Sequence, residues 1–149
     1  DGLMKEYYRN PTLTESVIRE GWLHTGDLGR MDEEGFIYLV DRKKDLIISG
    51  GENIYPVEVE AAILKHPKVH DAAVIGAPDD RLGETAVAVI QPKKGETLTE
   101  QELMLFFEQQ LPRYKRPRRV IFGEVPRSPT GKIEKPKLRA KYTGKSAGP

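Results

Sequence analysis

Two short apolar segments constrain the fold of this chain more than any other feature of its sequence. Residues 69–76 and 85–91 are rich in valine, isoleucine and alanine. Apolar runs of this length, bounded by turn-forming residues, are typical of buried strands. Strands of this kind must be covered by other elements, so we expect a sheet with helices packed on it.

The segments around these two strands supply the helices and the remaining strands. The sequence predicts helices at 11–19, 56–66, 99–111 and 136–142, and further strands at 27–31, 36–40, 46–48 and 119–125. Pro56 suits a first helical turn, and Thr99 with Glu102 forms a capping box. The elements after residue 43 indicate an α+β fold, a small mixed sheet flanked by helices.

The chain divides into three parts on these grounds. Residues 1–43 contain a helix and a β-hairpin with too little core to stand alone. Residues 44–142 form the small domain, and residues 143–149 are expected to be a disordered tail. The chain begins at Asp1 within what reads as ordered sequence, so we expect a fragment of a longer protein.

Composition excludes several kinds of site and partner. Without cysteine there is no disulfide, thiolate metal site or cysteine nucleophile, which fits a reducing compartment. His24, His66 and His70 lack metal-ligand spacing, so no metal site is expected. A formal net charge of +1 singles out neither nucleic acid nor membrane. No apolar run approaches the roughly 20 residues of a membrane span, and no signal peptide precedes the first motif, so we expect a cytoplasmic protein.

The first motif with a chemical meaning is GWLHTGDLG at residues 21–29. A carboxylate between glycine-flanked turns can accept hydrogen bonds from the vicinal hydroxyls of a sugar. Asp27 can also simply stabilise a tight turn, which is the commoner role for an isolated aspartate of this kind.

The second motif is DRKKDLIISGGENIYP at residues 41–56. Gly50 and Gly51 allow a ligand to approach the backbone closely, although a glycine bulge between a strand and a helix explains them as well. Their spacing is not that of a dinucleotide-binding GxGxxG motif. Arg42, Lys43 and Lys44 are equally well explained as a solvated charge run.

The third motif, VPRSPTGKIEK at residues 125–135, presents Lys132 on a loop flanked by prolines and glycine. It is not a P-loop, because Pro126 stands where the first glycine is needed and Ile133 where serine or threonine is needed. Such a loop can offer an ammonium group to a phosphate or carboxylate. An ordinary surface lysine is the alternative.

In this order and spacing, the three motifs resemble the late core motifs of the adenylate-forming superfamily. That group holds acyl- and aryl-CoA synthetases, luciferases and the adenylation domains of peptide synthetases. The resemblance extends from about Tyr8 to Tyr142, and SGGENI at residues 49–54 has the acyl-CoA synthetase form. It implies the C-terminal lid domain of such an enzyme, preceded by the end of its large AMP-binding domain.

The resemblance also implies a reaction and a role for each motif residue. A carboxylic acid and ATP would give an acyl adenylate and pyrophosphate, and CoA would then displace AMP to give the thioester. The implied roles are ribose binding by Asp27, assistance at the ribose or phosphate by Arg42, a hinge at Lys44, the pantetheine channel at Gly50 and Gly51, and catalysis of the first step by Lys132.

The basic stretch RYKRPRR at residues 113–119 approaches the nucleotide end of CoA in relatives. We therefore assign Arg116 and Arg118 to its phosphates and Tyr114 to stacking on its adenine. A solvated basic rim is an equally good explanation. A nucleic-acid surface is a poorer one, because a short cluster in a chain of balanced charge is a weak electrostatic footprint.

The resemblance places the phosphate-binding loop, the magnesium-binding glutamate and the acyl pocket in the large N-terminal domain. The expected partners are ATP, CoA, a carboxylic acid and that domain, through which Mg²⁺ would act. The fragment alone is therefore expected to be inactive. The alternatives are a fragment of a peptide synthetase or luciferase-like enzyme, or a binding domain without catalysis, against which Lys132 argues.

Overall fold

The computed structural model describes residues 2–144, which fall into two compact units that divide between Lys44 and Asp45. The division expected from the sequence lies one residue earlier. Of the expected tail, residues 145–149 lie outside the described part of the chain, whereas Thr143 is the last residue of a helix.

The first unit consists of one short helix and two small antiparallel hairpins. Its elements are α1 (Pro11–Val17), β1 (Ile18–Arg19), β2 (Trp22–Leu23), β3 (Asp27–Met31) and β4 (Ile37–Arg42). The predicted helix at 11–19 is wrong at its end, because Ile18 and Arg19 pair with β2. Gly21, with a φ of 79°, permits the tight turn between these strands.

The second unit contains a five-stranded mixed sheet, which confirms the predicted α+β class. Its strands are β5 (Ile47–Ser49), β6 (Glu52–Ile54), β7 (Val69–Asp79), β8 (Gly83–Pro92) and β9 (Arg119–Phe122). The order is β6-β5-β8-β7, and β9 pairs with β8 in parallel while the other pairs are antiparallel. The strand predicted at 119–125 ends early, at Phe122, and β6 was not predicted.

Three helices and one 3₁₀ turn complete this unit. They are α2 (Pro56–Ile63), α3 (Glu100–Gln110), the 3₁₀ turn Arg113–Lys115 and α4 (Lys135–Thr143). The Thr99 hydroxyl accepts from the Glu102 amide, as the capping box predicts. Helix α2 is shorter than predicted because the chain tightens after Ile63, where the His66 amide bonds to the Ile63 carbonyl.

The sheet is buried on both faces, which explains the continuous apolar runs of β7 and β8. Alternate residues of these strands face α2 and α3, where the buried side chains are Ala72, Val74, Ala88, Ile90, Ile63, Leu103 and Phe107. The intervening residues face α4, and the buried set there is Ala73, Ile75, Val87, Val89, Val125 and Leu138. Ile133 packs against this second set, so the segment that carries Lys132 lies on the α4 side of the sheet.

Candidate functional site

The β3–β4 hairpin brings together two of the residues singled out from the sequence. Asp27 and Arg42 are directly opposite each other at the open end of the hairpin. The Arg42 Nε donates to the Asp27 Oδ1 at 3.2 Å, and both side chains remain partly exposed. The pair therefore presents a carboxylate and a guanidinium on one surface, a combination suited to the hydroxyls and phosphate of a nucleotide.

A cleft of about 550 Å³ lies beside this pair, lined by Thr25, Gly26, Arg42, Lys43 and Lys44. The Lys43 amide donates to the Gly26 carbonyl at 2.8 Å and so belongs firmly to the first unit. Lys44 is the last residue of that unit.

The first residue of the second unit is anchored just as firmly. Asp45 is buried, and its Oδ1 accepts from the Arg139 Nη2 of α4 at 2.6 Å. Lys44 is exposed and lies between this anchor and the backbone bond of Lys43.

Gly50 and Gly51 form the two-residue turn of the β5–β6 hairpin, closed by the pair Ser49 and Glu52. Both glycines have positive φ, 58° and 86°, as a type I′ turn requires. The alternative of a bulge leading directly into a helix is therefore wrong, because β6 intervenes. The Gly50 amide donates to the Leu82 carbonyl at 2.9 Å, which fixes this turn against the start of β8.

A second cavity, of about 410 Å³, lies beside this turn and falls within the size range of small-molecule sites. Its lining includes four of the predicted CoA residues, Gly50, Tyr114, Arg116 and Arg118, but not Gly51. The remaining lining residues are Ser49, Ile54, Leu82, Thr85, Ala86 and Arg113.

A short ion pair links the 3₁₀ turn that carries Tyr114 to α2. The Lys115 Nζ lies 2.6 Å and 2.7 Å from the two carboxylate oxygens of Glu58 on α2. The hydrogen bond and charge of Glu58 raise the pKa of Lys115 above its ordinary value, despite the opposing effect of burial. Tyr114 itself remains about half exposed at the mouth of the cavity.

Arg116 has a structural role that the sequence did not indicate. Its Nε donates to the Leu111 carbonyl at 2.9 Å and its Nη2 to the Glu108 carbonyl at 3.2 Å. The guanidinium thus satisfies carbonyl groups at the C-terminal end of α3, where a cation is favourable.

Two further residues of this cavity were missed by the sequence analysis. Thr85 has a fully buried hydroxyl oxygen that makes no hydrogen bond within the described residues. Threonine is common in strands, so its presence there does not indicate that its hydroxyl will lack a hydrogen-bond partner. Arg113 belongs to the basic stretch, but nothing in the sequence distinguished it from its neighbours.

Lys132 lies exposed on a short hairpin loop whose shape is set by its neighbours. Arg127 and Ile133 form a β-bridge, and the Ser128 amide donates to the Lys132 carbonyl at 2.8 Å. The Gly131 amide donates to the Ser128 carbonyl at 2.8 Å, and Gly131 has a φ of 82°. This is the pattern of a three-residue hairpin loop closed by a left-handed glycine, so Lys132 is presented on an ordered turn.

Within residues 2–144, no group of three or more His, Cys, Asp or Glu side chains is arranged to hold a metal ion. The helices in this part of the chain are also all too short or too polar to cross a membrane.

Comparison with known proteins identifies relatives along nearly the whole chain. The family described as the AMP-binding enzyme C-terminal domain matches residues 58–132, about half of the chain. The long-chain-fatty-acid–CoA ligase FadD13 of Mycobacterium tuberculosis is 47% identical over 96% of this chain. The 2-succinylbenzoate–CoA ligase of Bacillus cereus is 47% identical over 89% of it.

Solved structures give the same result. The ATP-bound crystal structure of MatB from Rhodopseudomonas palustris matches 93% of this chain, with 41% identity and a TM-score of 0.84. The chain spans only 28% of the length of FadD13 and 28% of that of MatB. With its small mixed sheet and the family match over β7, β8 and the Lys132 hairpin, this chain belongs to the AMP-binding enzyme C-terminal domain family of the adenylate-forming enzymes.

Proposed function

We propose that this chain is the C-terminal part of an AMP-forming acyl-CoA synthetase. One observation carries the proposal: the second unit bears two candidate sites on opposite sides of one sheet. The Lys132 hairpin packs through Ile133 on the α4 side. The cavity beside Gly50 is lined in part by Ile54 and Ala86. These two residues belong to the buried cluster on the α2–α3 side of the sheet. Sites on two faces of one small domain suit an enzyme in which that domain rotates between two successive steps, so that a different face meets the reactants in each.

Lys132 is proposed to act in the first step, in which a carboxylate attacks the α-phosphorus of ATP. Negative charge builds on the phosphate oxygens as pyrophosphate leaves. A positioned ammonium group stabilises that charge without reorganisation at the moment of reaction. The exposed position of Lys132 on an ordered hairpin fits this role, because the side chain is free to reach a nucleotide held by the large domain.

Asp27 and Arg42 are proposed to hold the nucleotide from the first unit. The carboxylate would accept hydrogen bonds from the ribose hydroxyls, and the guanidinium would remain near the ribose or phosphate. Their side-chain contact at 3.2 Å supports a shared role, because each orients the other before ligand binds.

Lys44 is proposed as the hinge between the two steps. The Lys43 amide is bonded within the first unit, and the Asp45 carboxylate is bonded within the second. A rotation of one unit would therefore be absorbed by the backbone dihedral angles of Lys44.

The cavity beside Gly50 is proposed to bind CoA in the second step. Tyr114 would stack on the adenine, and Arg118 with Arg113 would contact the phosphates, since all three line the cavity. Arg116 would contact a phosphate only by exchanging its bonds to the carbonyls of α3. The turn of Gly50 and Gly51 would border the pantetheine channel.

The acid substrate is proposed only as a carboxylic acid. FadD13 and the Bacillus ligase are named for different acids, a long-chain fatty acid and 2-succinylbenzoate. The acyl pocket, the phosphate-binding loop and the Mg²⁺ ligand are assigned to the large N-terminal domain. A peptide-synthetase or luciferase-like enzyme is less favoured, because FadD13 and the Bacillus ligase, each 47% identical to this chain, are both named as CoA ligases.

Reconstitution tests this proposal. The isolated chain, given ATP, Mg²⁺ and a panel of carboxylic acids, should release no pyrophosphate. The same chain joined to its large N-terminal domain should release pyrophosphate and then form an acyl-CoA when CoA is added. Pyrophosphate release by the isolated chain, or an active joined protein that forms no thioester, would contradict the proposal.

A further inference from the structure

Beside the apolar packing of Ile133, the side chain of Arg127 joins the hairpin that carries Lys132 to β7 of the central sheet. Its Nε lies 2.7 Å from the Asp71 Oδ2, and its Nη2 lies 2.8 Å from the Asp71 Oδ1. Its third nitrogen, Nη1, donates to the Gly131 carbonyl at 2.6 Å. That carbonyl belongs to the peptide group that joins Gly131 to Lys132.

Asp71, the partner of Arg127, is itself held firmly in the sheet. It lies in β7, and only 13% of its side chain is exposed. Its Oδ1 also accepts from the Ala72 amide at 2.9 Å. Burial raises the pKa of Asp71, but hydrogen bonds from Arg127 and Ala72, with the charges of Arg127 and His70, outweigh it and hold the pKa below its ordinary value. The carboxylate therefore stays charged near neutral pH.

The two hydrogen bonds between Arg127 and Asp71 fix the orientation of the guanidinium as well as its distance from the carboxylate. A bidentate contact aligns the planes of the guanidinium and the carboxylate, which a single contact does not do. Because the same guanidinium also holds the Gly131 carbonyl, the orientation of the peptide before Lys132 is tied to β7. Within residues 127–133, the other hydrogen bonds join residues of the hairpin to one another, as between Ser128 and Lys132. Just before the hairpin, the Val125 amide donates to the Gln91 Oε1 of β8 at 3.1 Å.

A second ion pair anchors the other end of this segment, and it is of a different kind. The Lys135 Nζ lies 2.9 Å from the Glu60 Oε1, and both side chains are about nine-tenths buried. The Glu60 Oε1 also accepts from the Val74 amide of β7 at 2.8 Å. This pair lies among core residues, and we expect it to serve the stability of the unit. The more exposed Arg127 pair acts on the hairpin.

We propose that Arg127 and Asp71 are positioning residues for Lys132 in the first half-reaction. They fix the hairpin so that the ammonium group arrives at the reacting phosphate in the productive orientation. This rests on the proposed function of Lys132 and extends it by naming the side chains on which its placement depends. A displacement of about 1 Å in a catalytic group costs on the order of 10²-fold in rate.

The test uses the full-length enzyme and measures the two half-reactions separately. Arg127→Met should lower kcat for acyl-adenylate formation by about ten- to 100-fold. The KM values for ATP and acid, and thioester formation from supplied acyl adenylate, should stay within about twofold, because Lys132 and the CoA cavity are retained. Arg127→Lys should lower kcat for acyl-adenylate formation nearly as much, since lysine keeps the charge but cannot make the bidentate contact.

Matched variants separate positioning from a general loss of structure. Lys137→Met removes an exposed ion pair, to Glu134 at 2.6 Å, in the helix that follows the hairpin and should leave both half-reactions unchanged. Asp71→Asn should reproduce the selective loss of Arg127→Met. The double variant should be no worse than Arg127→Met alone, since both changes break one contact.

The proposal is overturned if Arg127→Met and Arg127→Lys leave adenylation intact, or if both half-reactions fall in proportion to a lower Tm. Lys132→Ala, measured beside them, tells which idea has failed. If Lys132→Ala abolishes adenylation while both Arg127 variants are active, only the positioning role is wrong. If Lys132→Ala spares adenylation, the proposed function fails and the positioning role fails with it.

Discussion

The two units of this chain differ sharply in what they bury. In the second unit, the sheet is covered on both faces by apolar side chains from α2, α3 and α4. Among residues 2–44, the only buried residue is Asp41, while Trp22 and Leu39 are about three-quarters exposed. The first unit therefore has the hydrogen bonds of hairpins without an apolar core, and isolated hairpins are only marginally stable.

The two units therefore support the parts of the proposed active site to different degrees. The Lys132 hairpin and the cavity beside Gly50 are built on a packed sheet. Asp27 and Arg42 are built on a hairpin whose apolar residues Phe36, Ile37 and Leu39 are exposed. We expect that hairpin to become rigid only when the large N-terminal domain covers it, because an exposed apolar patch of this kind marks an interaction surface.

Core truncation gives the largest expected contrast between the units. Phe107→Ala, in the core of the second unit, should lower the free energy of unfolding by about 3–5 kcal/mol. Phe36→Ala, in the first unit, removes a side chain of the same type that is 61% exposed and should change it by less than about 0.5 kcal/mol. Denaturant unfolding of this chain measures both. Equal effects would contradict the comparison.

The residue between the units gives the next contrast. Lys44→Pro fixes φ at the proposed hinge and should slow thioester formation by about tenfold or more while largely sparing adenylation. Lys44→Ala is the matched control, because it removes the same side chain but leaves φ free and should affect neither step strongly. Single-turnover assays of the full-length enzyme separate the steps. If Lys44→Pro slowed adenylation and thioester formation equally, the proposed hinge role of Lys44 would be wrong.

Acid stability gives the smallest contrast, between two aspartates with lowered pKa values. In the second unit, Asp71 is charge-paired with Arg127. In the first, hydrogen bonds from Tyr38 and backbone amides lower the pKa of the exposed Asp32. A carboxyl group whose pKa is lowered by folding stabilises the fold at pH values above its unfolded pKa of about 4. This contribution to stability is lost as the pH falls through the pKa of the group in the folded state.

We therefore expect stability to fall below about pH 4 in the wild type and to fall less steeply in Asp71→Asn. Asp32→Asn should change the acid slope of global unfolding very little, because the first unit contributes little core. Thermal unfolding between about pH 2 and pH 6 measures the slopes. A larger effect at Asp32 than at Asp71 would reverse the comparison.

Much of the fold could be predicted because its signals are local. The apolar runs of β7 and β8 and the capping box at Thr99 each depend on adjacent residues. The hairpin of β1 and β2 was missed because its strands have only two residues each, too few to show a period. Strand β6 was missed because Glu52–Ile54 is short and follows directly on the glycine turn.

The candidate site could be predicted only where a motif carried it. Motif order and spacing singled out Asp27, Arg42 and Lys132 as candidates, and their roles stay predictions. The contact between Asp71 and Arg127 joins residues far apart in sequence, so no local pattern indicates it. The attachment of Arg116 to the end of α3 was missed for a related reason. In a run of basic residues, composition does not tell which guanidinium faces the protein and which faces a ligand.

Lys132 is proposed to supply the charge that stabilises acyl-adenylate formation, and the cavity beside Gly50 is proposed to serve the second step. This proposal is tested most directly by Lys132→Ala in the full-length enzyme, with each half-reaction measured alone. We expect adenylation to fall by about 10²–10³-fold, while thioester formation from supplied acyl adenylate stays within about twofold. An equal fall in both half-reactions, or undiminished adenylation, would contradict it.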